Sequence, residues 1–289
     1  MNGILLVDKP TDWTSSDVVA KLRGLLHERR IGHSGTLDPM ATGLLVVFVG
    51  RATRAVEFAE SQEKRYLASL RLGLATDTQD ITGNRISGKP QEISEEELER
   101  TLALFRGDIQ QIPPMYSAIK MGGKKLYEIA RRGGEVERKA RPVRIRELQL
   151  LGREGEDWLL DVTCSKGTYI RTLCHDIGES LGCGGCMSAL RRIRAGEFSI
   201  ENACTLDAIR EAAERGEAER LLLPVDSLFR EVPALNIDAR GEGRIRCGSS
   251  IASSAAEGEY RAYGPDGAFL ALVRVTGGEL KSIKSFFEV

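Results

Sequence analysis

The sequence has few features of the kinds that build a membrane anchor or a disulfide framework. No apolar run approaches the roughly 18 to 20 residues that a helix needs to cross a bilayer, and residues 1–4 lack the basic and apolar regions of a signal peptide. Six cysteines in 289 residues do not suffice for a disulfide framework. We therefore expect a cytoplasmic protein with no membrane contact and with reduced thiols.

A metal or redox centre has weak support. Cys183 and Cys186 have the C-x-x-C spacing of a redox pair or of half a zinc site. No second pair of this kind follows, and the histidines are His27, His33 and His175. We favour a glycine-rich turn that contains two thiols, and we predict no metal site.

The net charge of −1 argues against a nucleic-acid partner, because phosphate contacts need Lys and Arg, but the distribution of charge argues for one. Between residues 120 and 146 stand ten basic and three acidic residues, an excess of +7. We predict that residues 112–143 form a basic insert that faces RNA and is mobile until RNA docks. Its candidate RNA-binding residues are Lys120, Lys124, Lys125, Arg131, Arg132 and Arg141.

The hydrophobic periodicity predicts interleaved strands and helices without a regular β-α-β repeat. This pattern favours an α+β fold with a mixed or antiparallel sheet and flanking helices. Residues 223–233 have the composition of a boundary, so we predict a domain over residues 1–228 and a small β-rich module over 229–289. The predicted strands are 3–7, 44–49, 64–72, 143–151, 158–164, two around the Pro-Asp-Gly turn at 265–267, and 282–287. The predicted helices begin near 15, 52, 95, 126, 168 and 206.

The most informative stretch is residues 32–43, G-H-S-G-T-L-D-P-M-A-T-G, which holds Asp38 in a glycine-studded loop. Pro39 disfavours helical backbone at Asp38, and the glycines permit sharp turns or close approach of a ligand. A P-loop is disfavoured because no Lys follows Gly43. The aspartyl-phosphate pattern of the haloacid dehalogenases is disfavoured because Met40 stands where a second Asp is needed. A plain loop that feeds a buried strand remains the alternative on local pattern alone.

The loop resembles the G-H-T-G-x-L-D-P signature of the TruB-type pseudouridine synthases, with Ser34 where threonine is usual. Further blocks of the family follow in order: K-R-Y at residues 64–66, K-G-T-Y-I-R at 166–171 and S-A-L-R-R at 188–192. The resemblance covers residues 2 to about 226. It implies the pseudouridine-synthase fold, and the order of the last strands is similar to a PUA domain.

The resemblance also implies an active site. Asp38 would be the nucleophile, and aspartate side chains are ionised at neutral pH without help. Tyr66 would stack on the base and accept the C5 proton, directly or through its hydroxyl network. Arg171 would pair with Asp38 and orient it, whereas a structural ion pair with Asp176 is the alternative for this arginine.

Four further residues match substrate-binding positions of the family. Tyr169 and Leu190 would line the base pocket, although each alone is also typical of a core residue. His33 would insert into the T loop of the RNA, and Lys9, in L-V-D-K-P, would be an active-site lysine without an assigned role.

Three functions follow as alternatives. The first is isomerisation of uridine to pseudouridine at position 55 in the T loop of tRNA, with no cofactor and no obligatory protein partner. The second is a tRNA-binding or tRNA-folding protein in which catalysis is secondary. The third, which we rank last, is a guide-RNA-dependent synthase similar to the dyskerin relatives. The sequence leaves open whether attack occurs at C6 of the base or C1′ of the ribose.

Overall fold

The computed structural model describes residues 1–287, in which the backbone forms eighteen β-strands and seven α-helices. The strands are β1 (Gly3–Lys9), β2 (Ile31–Ser34), β3 (Thr42–Val49), β4 (Lys64–Leu72), β5 (Ala75–Thr76), β6 (Arg85–Ser87), β7 (Gly107–Gln111), β8 (Lys120–Met121), β9 (Lys124–Lys125), β10 (Arg141–Glu154), β11 (Asp157–Cys164), β12 (Gly185–Ala195), β13 (Phe198–Ser199), β14 (Ala234–Asn236), β15 (Ile251–Ala252), β16 (Gly258–Tyr263), β17 (Phe269–Thr276) and β18 (Glu279–Ser285). The helices are α1 (Ser15–Leu25), α2 (Val56–Glu60), α3 (Glu95–Ala103), α4 (Leu126–Ala130), α5 (Ile170–Ser180), α6 (Leu206–Glu214) and α7 (Ala239–Arg246). Turns of 3-10 helix lie at Gly50–Ala55, Ile200–Asn202, Ala218–Leu221 and Val225–Phe229.

The chain divides into two compact units, and the first comprises residues 1–39, 45–60 and 200 onward. Its strands β1 and β2 flank the later residues of β3, where Ile31 lies opposite Val49 in antiparallel register. Helix α1 begins at the predicted capping site, because the Thr14 hydroxyl accepts from the Asp17 N–H while Asp17 accepts from the Thr14 N–H. The apolar faces of α1 and α6 pack on these strands and form the core of this unit.

The C-terminal part of the same unit is a separate five-stranded sheet in the order β14-β16-β17-β18-β15, which confirms the predicted β-rich module. The hairpin around the Pro-Asp-Gly turn is present as β16 and β17. An aromatic cluster attaches the sheet to α2, since the Phe229 ring lies 5.2 Å from Phe58 and 5.9 Å from Phe286. The last two residues of the predicted module, 288 and 289, lie outside the described residues.

The second unit comprises residues 40–44 and 61–199. The first residues of β3 pair in parallel with β12, and antiparallel pairs then continue the order β12-β4-β11-β10-β7. One parallel pair in an otherwise antiparallel ladder makes this a mixed sheet, as predicted. Helix α5 packs on β12 and β4, so buried and more exposed residues alternate along β4.

Some predicted elements differ from those observed. Residues 50–55 form a 3-10 turn ahead of the short helix α2, so the single helix predicted over 52–60 is only half correct. Strands β7 and β12 and the hairpin β8–β9 were not predicted. In residues 1–287 no helix is long and apolar enough to cross a membrane. The proposed boundary at residue 228 stays a prediction.

Candidate active site and RNA-binding surface

Asp38 lies in the irregular segment between β2 and β3, in the first unit, and its side chain is half-buried. The backbone there is not helical, as Pro39 predicts. Both neighbours of Asp38 are held by hydrogen bonds. The Ser15 hydroxyl accepts from the Leu37 N–H at 2.9 Å and donates to the Leu37 carbonyl at 3.2 Å. The Asp12 N–H donates to the Pro39 carbonyl at 2.9 Å. The first residue of α1 and the turn that precedes this helix therefore fix the backbone on either side of the carboxylate.

Lys9 belongs to the same support. Its side chain is 0% exposed, and Nζ donates to the carbonyls of Pro10 at 2.8 Å, Trp13 at 2.6 Å and Pro39 at 3.2 Å. A buried ammonium group is stable only when hydrogen bonds replace its hydration. The structure therefore gives Lys9 an anchoring contact one residue after Asp38.

The three glycines of the loop differ in whether the structure leaves room for a side chain. Gly43 has φ +98°, and a Cβ atom there would lie 2.3 Å from the Arg192 carbonyl oxygen, so β3 and β12 approach closely only because this residue is glycine. Gly35 has φ +67°. At Gly32 a Cβ atom would meet only Thr53 and Val56 methyl groups at 3.7 and 3.8 Å, so ordinary packing is compatible with a side chain. His33 lies on β2 opposite Val47, half-buried.

Tyr66 and Leu190 lie on neighbouring strands of the second unit. Tyr66 on β4 is opposite Arg192, and Leu190 on β12 is opposite Ala68. Directly opposed residues of an antiparallel pair share a face, so Tyr66 and Leu190 are diagonal neighbours on one face of the sheet. Both side chains are buried. The sheet therefore brings together two of the predicted pocket residues.

Tyr169 and Arg171 lie at the start of α5. Arg171 is 5% exposed, and its guanidinium donates to the carbonyls of Thr78 at 3.1 Å and Tyr116 at 2.8 Å. Its Nη1 lies 3.6 Å from Oδ2 of Asp80, which is also 5% exposed. Two carbonyls and a buried carboxylate therefore hold the guanidinium in one orientation.

Asp80 is a residue that the sequence interpretation missed. Its Oδ1 accepts hydrogen bonds from the Thr78 hydroxyl at 2.8 Å, and from the Thr82 hydroxyl at 2.6 Å and N–H at 3.0 Å. The signal was present as a run of Thr and Asp between β5 and β6, because such residues bond their own backbone in turns. Asp80 is thus a third candidate partner for Arg171 beside Asp38 and Asp176, and the pairing with Asp38 stays a prediction.

The basic insert begins after β7 and contains the hairpin β8–β9 and the helix α4. Gly122 and Gly123, with φ +57° and +83°, form its two-residue turn. The Tyr127 ring lies 5.4 Å from both the Lys125 ammonium and the Arg131 guanidinium. Lys124 and Arg132 line one surface cavity of about 230 Å³. The remaining predicted contacts, Lys120 and Arg141, are exposed, so this surface presents concentrated positive charge.

The C-x-x-C thiols are buried in the second unit. Burial raises the pKa of the Cys186 thiol to about 11. It also raises the pKa of Cys164, which lies outside the C-x-x-C pair at the end of β11, to about 12. Thiols are reactive and bind metals as thiolates, so a raised pKa favours a structural role. Within residues 1–287 no group of three or more His, Cys, Asp or Glu side chains could hold a metal ion.

Solved structures match the fold over nearly the whole chain. The chain aligns with a chain of a solved structure described as "Crystal Structure of a Cbf5-Nop10-Gar1 Complex" over 99% of its own length and 85% of the other, with TM-score 0.76 and 26% identity. A chain of an H/ACA RNP bound to a substrate RNA containing 2′-deoxyuridine matches with TM-score 0.75 and 24% identity, over the same shares of the two chains.

Two family models match consecutive parts of the chain. The model for the TruB family pseudouridylate synthase (N terminal domain) matches residues 23–170, and that for the tRNA pseudouridylate synthase B C-terminal domain matches residues 171–230. The chain belongs to the TruB family of pseudouridylate synthases.

Curated relatives match over nearly the whole chain. The tRNA pseudouridine synthase B of Syntrophomonas wolfei is 46% identical and that of Aromatoleum aromaticum 45%. The matches cover 94% and 98% of this chain, and 93% and 92% of the relatives. The protein of the same name in Escherichia coli K12 is 41% identical over 96% of this chain and 88% of its own.

Proposed function

We propose that this chain isomerises uridine to pseudouridine at position 55 in the T loop of tRNA, with Asp38 as the nucleophile. Membership of the TruB family and the names of its relatives support the tRNA isomerisation. The observation that carries the role of Asp38 is the hydrogen-bonded support on Leu37 and Pro39, which places one carboxylate in a fixed loop. A fixed nucleophile needs less reorganisation in the transition state.

The proposed isomerisation changes bonds within one nucleoside. The N1–C1′ bond breaks, the base rotates, C5 bonds to C1′, and the proton leaves C5 while N1 gains one. Atoms and electrons balance within the nucleoside, so the reaction needs neither a redox partner nor a cofactor. Asp38 attacks at C6 or at C1′, and both routes pass through a covalent adduct that is later released.

A stacked uridine hides the reacting atoms, so the enzyme must flip the nucleotide out of its stack. Tyr66 and Leu190, which share a face of the sheet, would form the apolar surface against the flipped base. Tyr66 would also accept the C5 proton, while Tyr169 would line the pocket and Arg171 would orient Asp38. His33 would enter the T loop to hold the rearranged RNA.

The proposed partner is the T arm of tRNA alone, in the cytoplasm, without an obligatory protein. The exposed cations of the basic insert support direct contacts with the phosphates of the RNA. They equally support the second candidate, a tRNA-binding or tRNA-folding protein in which catalysis is secondary. If that candidate is correct, cells that carry Asp38→Asn should keep the phenotype of cells with the unaltered chain.

The test is tritium release from a T-arm hairpin whose uridine carries tritium at C5, with the purified chain in EDTA. We expect release by the unaltered chain, and loss of about a thousandfold or more in Asp38→Asn. RNA affinity should change by less than about threefold, because a neutral isostere alters chemistry more than docking. Asp207→Asn, at an exposed aspartate of α6, is the matched control.

Three outcomes separate the candidates. Release by the unaltered chain and by Asp207→Asn, but not by Asp38→Asn, supports the proposal. Equal loss of binding and activity in Asp38→Asn contradicts the nucleophile assignment. Salt-sensitive binding without release from any form of the chain favours the tRNA-binding candidate.

A further inference from the structure

We propose that Gln111 is a positioning residue for the uridine pocket, and this inference rests on the proposed function. Gln111 is the last residue of β7 and is 1% exposed. Its Oε1 accepts a hydrogen bond from the Tyr169 N–H at 3.0 Å, and its Nε2 donates to the Tyr169 carbonyl at 3.2 Å. One side-chain amide therefore binds both backbone polar groups of a predicted pocket residue.

The double hydrogen bond fixes the backbone where α5 begins. Tyr169 has extended backbone, with φ −102° and ψ 108°, and is the residue before the first turn of the helix. The Gln111 amide occupies the place that a neighbouring strand would take, offering one acceptor and one donor in line. Because the tyrosine ring and Arg171 both project from this short segment, a shift of its backbone would displace both side chains.

Gln111 also stands where the basic insert leaves the sheet. It lies opposite Arg141 in the pairing of β7 with β10, so these two residues close the loop that contains the insert. Arg171 in turn donates to the carbonyl of Tyr116, five residues into the insert. The base of the basic insert is therefore hydrogen-bonded to Tyr169 and to Arg171, the two predicted site residues where α5 begins.

The substitution Gln111→Glu tests the donor specifically. The acceptor for the Tyr169 N–H is kept, while the donor to the Tyr169 carbonyl becomes an oxygen that repels it when ionised. A buried carboxyl that faces a carbonyl oxygen prefers to be protonated, and protonation restores a donor. The positive charges of Arg141, opposite Gln111 on β10, and of Arg171, two residues after Tyr169, oppose this preference, but they cannot supply the missing donor, which only protonation restores. The variant should therefore gain activity as the pH falls.

The experiment measures single-turnover pseudouridine formation on a T-arm hairpin with enzyme in excess, between pH 6 and pH 8.5, together with RNA affinity. We expect Gln111→Glu to be slower by about tenfold to a hundredfold at pH 8.5, as for the loss of one positioning contact. At pH 6 it should regain about fivefold or more relative to the unaltered chain. Affinity should change by less than about threefold.

The matched control is Gln110→Glu, the same change at the exposed neighbouring residue of β7. Its rate and pH profile should follow those of the unaltered chain. The second variant is Gln111→Met, which keeps the volume and removes both polar groups, and it should be slow at every pH. Thermal unfolding of each variant establishes that it is folded at the assay temperature.

The inference is overturned if Gln111→Glu and Gln110→Glu share one rate and one pH profile, or if Gln111→Met keeps the full rate. If Gln111→Glu does not fold, the rate of Gln111→Met decides. Should neither variant fold, Gln111 is a structural residue and the inference fails. If the unaltered chain forms no pseudouridine, the proposed function itself fails. The pH profiles of the variants test only the role of Gln111, so the two failures can be told apart.

Discussion

The aspartate loop, residues 32–43, and the basic insert, residues 112–143, are supported in opposite ways. In the loop the carboxylate of Asp38, the proposed nucleophile, lies between two residues whose backbone groups are bound by Ser15, Asp12 and Lys9. In the insert five of the six proposed RNA-binding cations are exposed, and the regular structure there is a short hairpin and a single helical turn.

The proposed roles of the two regions account for this difference. Nucleophilic attack depends on distance and angle, so the supporting backbone has to be fixed before the substrate arrives. Phosphate binding depends on charge over several ångströms and tolerates small displacements of each cation. We therefore expect changes in the supports of the loop to lower the rate, and changes in the insert to lower the affinity.

The largest expected effect on the rate is at Asp80, which holds Arg171 in place. Asp80→Asn keeps an oxygen for Thr78 and Thr82 but removes the charge 3.6 Å from the guanidinium. We expect the single-turnover rate to fall by about tenfold to a hundredfold, or about 1.4 to 2.7 kcal/mol, with RNA affinity unchanged. Asp77→Asn, at an exposed aspartate of the same turn, is the control. Equal effects of the two variants would contradict a role for the buried carboxylate.

An intermediate effect is expected at Ser15. Ser15→Ala removes both hydrogen bonds to Leu37 and leaves a buried N–H and carbonyl without that partner. We expect a rate about threefold to tenfold lower and a small loss of thermal stability. The control is Ser16→Ala on the exposed face of α1. A fall in affinity without a fall in rate would break the comparison, since the loop would then act in binding.

The smallest effect is expected in the insert. The double variant Lys124→Ala with Arg132→Ala removes two cations that line one cavity. We expect RNA affinity to fall by about threefold to fivefold, and the slope of log affinity against log salt to lessen by about one to two. The rate at saturating enzyme should be unchanged. Lys89→Ala with Arg100→Ala, two exposed cations elsewhere in the second unit, is the control. An unchanged salt slope would contradict direct phosphate contact.

Regular elements with a clean pattern could be predicted from the sequence. The helix α1, the buried strand β3 and the alternating strand β4 all appear at the predicted positions. Strand β12 could not be predicted, because it carries register shifts at Met187/Ala189 and Arg192/Arg194 and buries Arg192. Each bulge reverses the alternation of faces, and a buried arginine does not fit an apolar pattern.

The residues of the candidate site also divide into those that the sequence identifies and those that it does not. Asp38, Tyr66, Tyr169, Arg171 and Leu190 could be selected from blocks of sequence, because their neighbours along the chain identify them. Asp80 and Gln111 could not be selected, because their contacts, with Arg171 and Tyr169, span 91 and 58 residues of sequence.

By itself, the sequence determined the class of chemistry, the loop that carries the aspartate and the segment that carries the positive charge. These properties depend on residue type and on close neighbours, which local sequence records. Only the tertiary structure decided which groups hold the candidate site in place: Ser15 and Lys9 beside Asp38, and Asp80 and Gln111 at the start of α5. Hydrogen bonds of 3 Å between residues far apart in the chain form only when the sheet and its helices have brought them together.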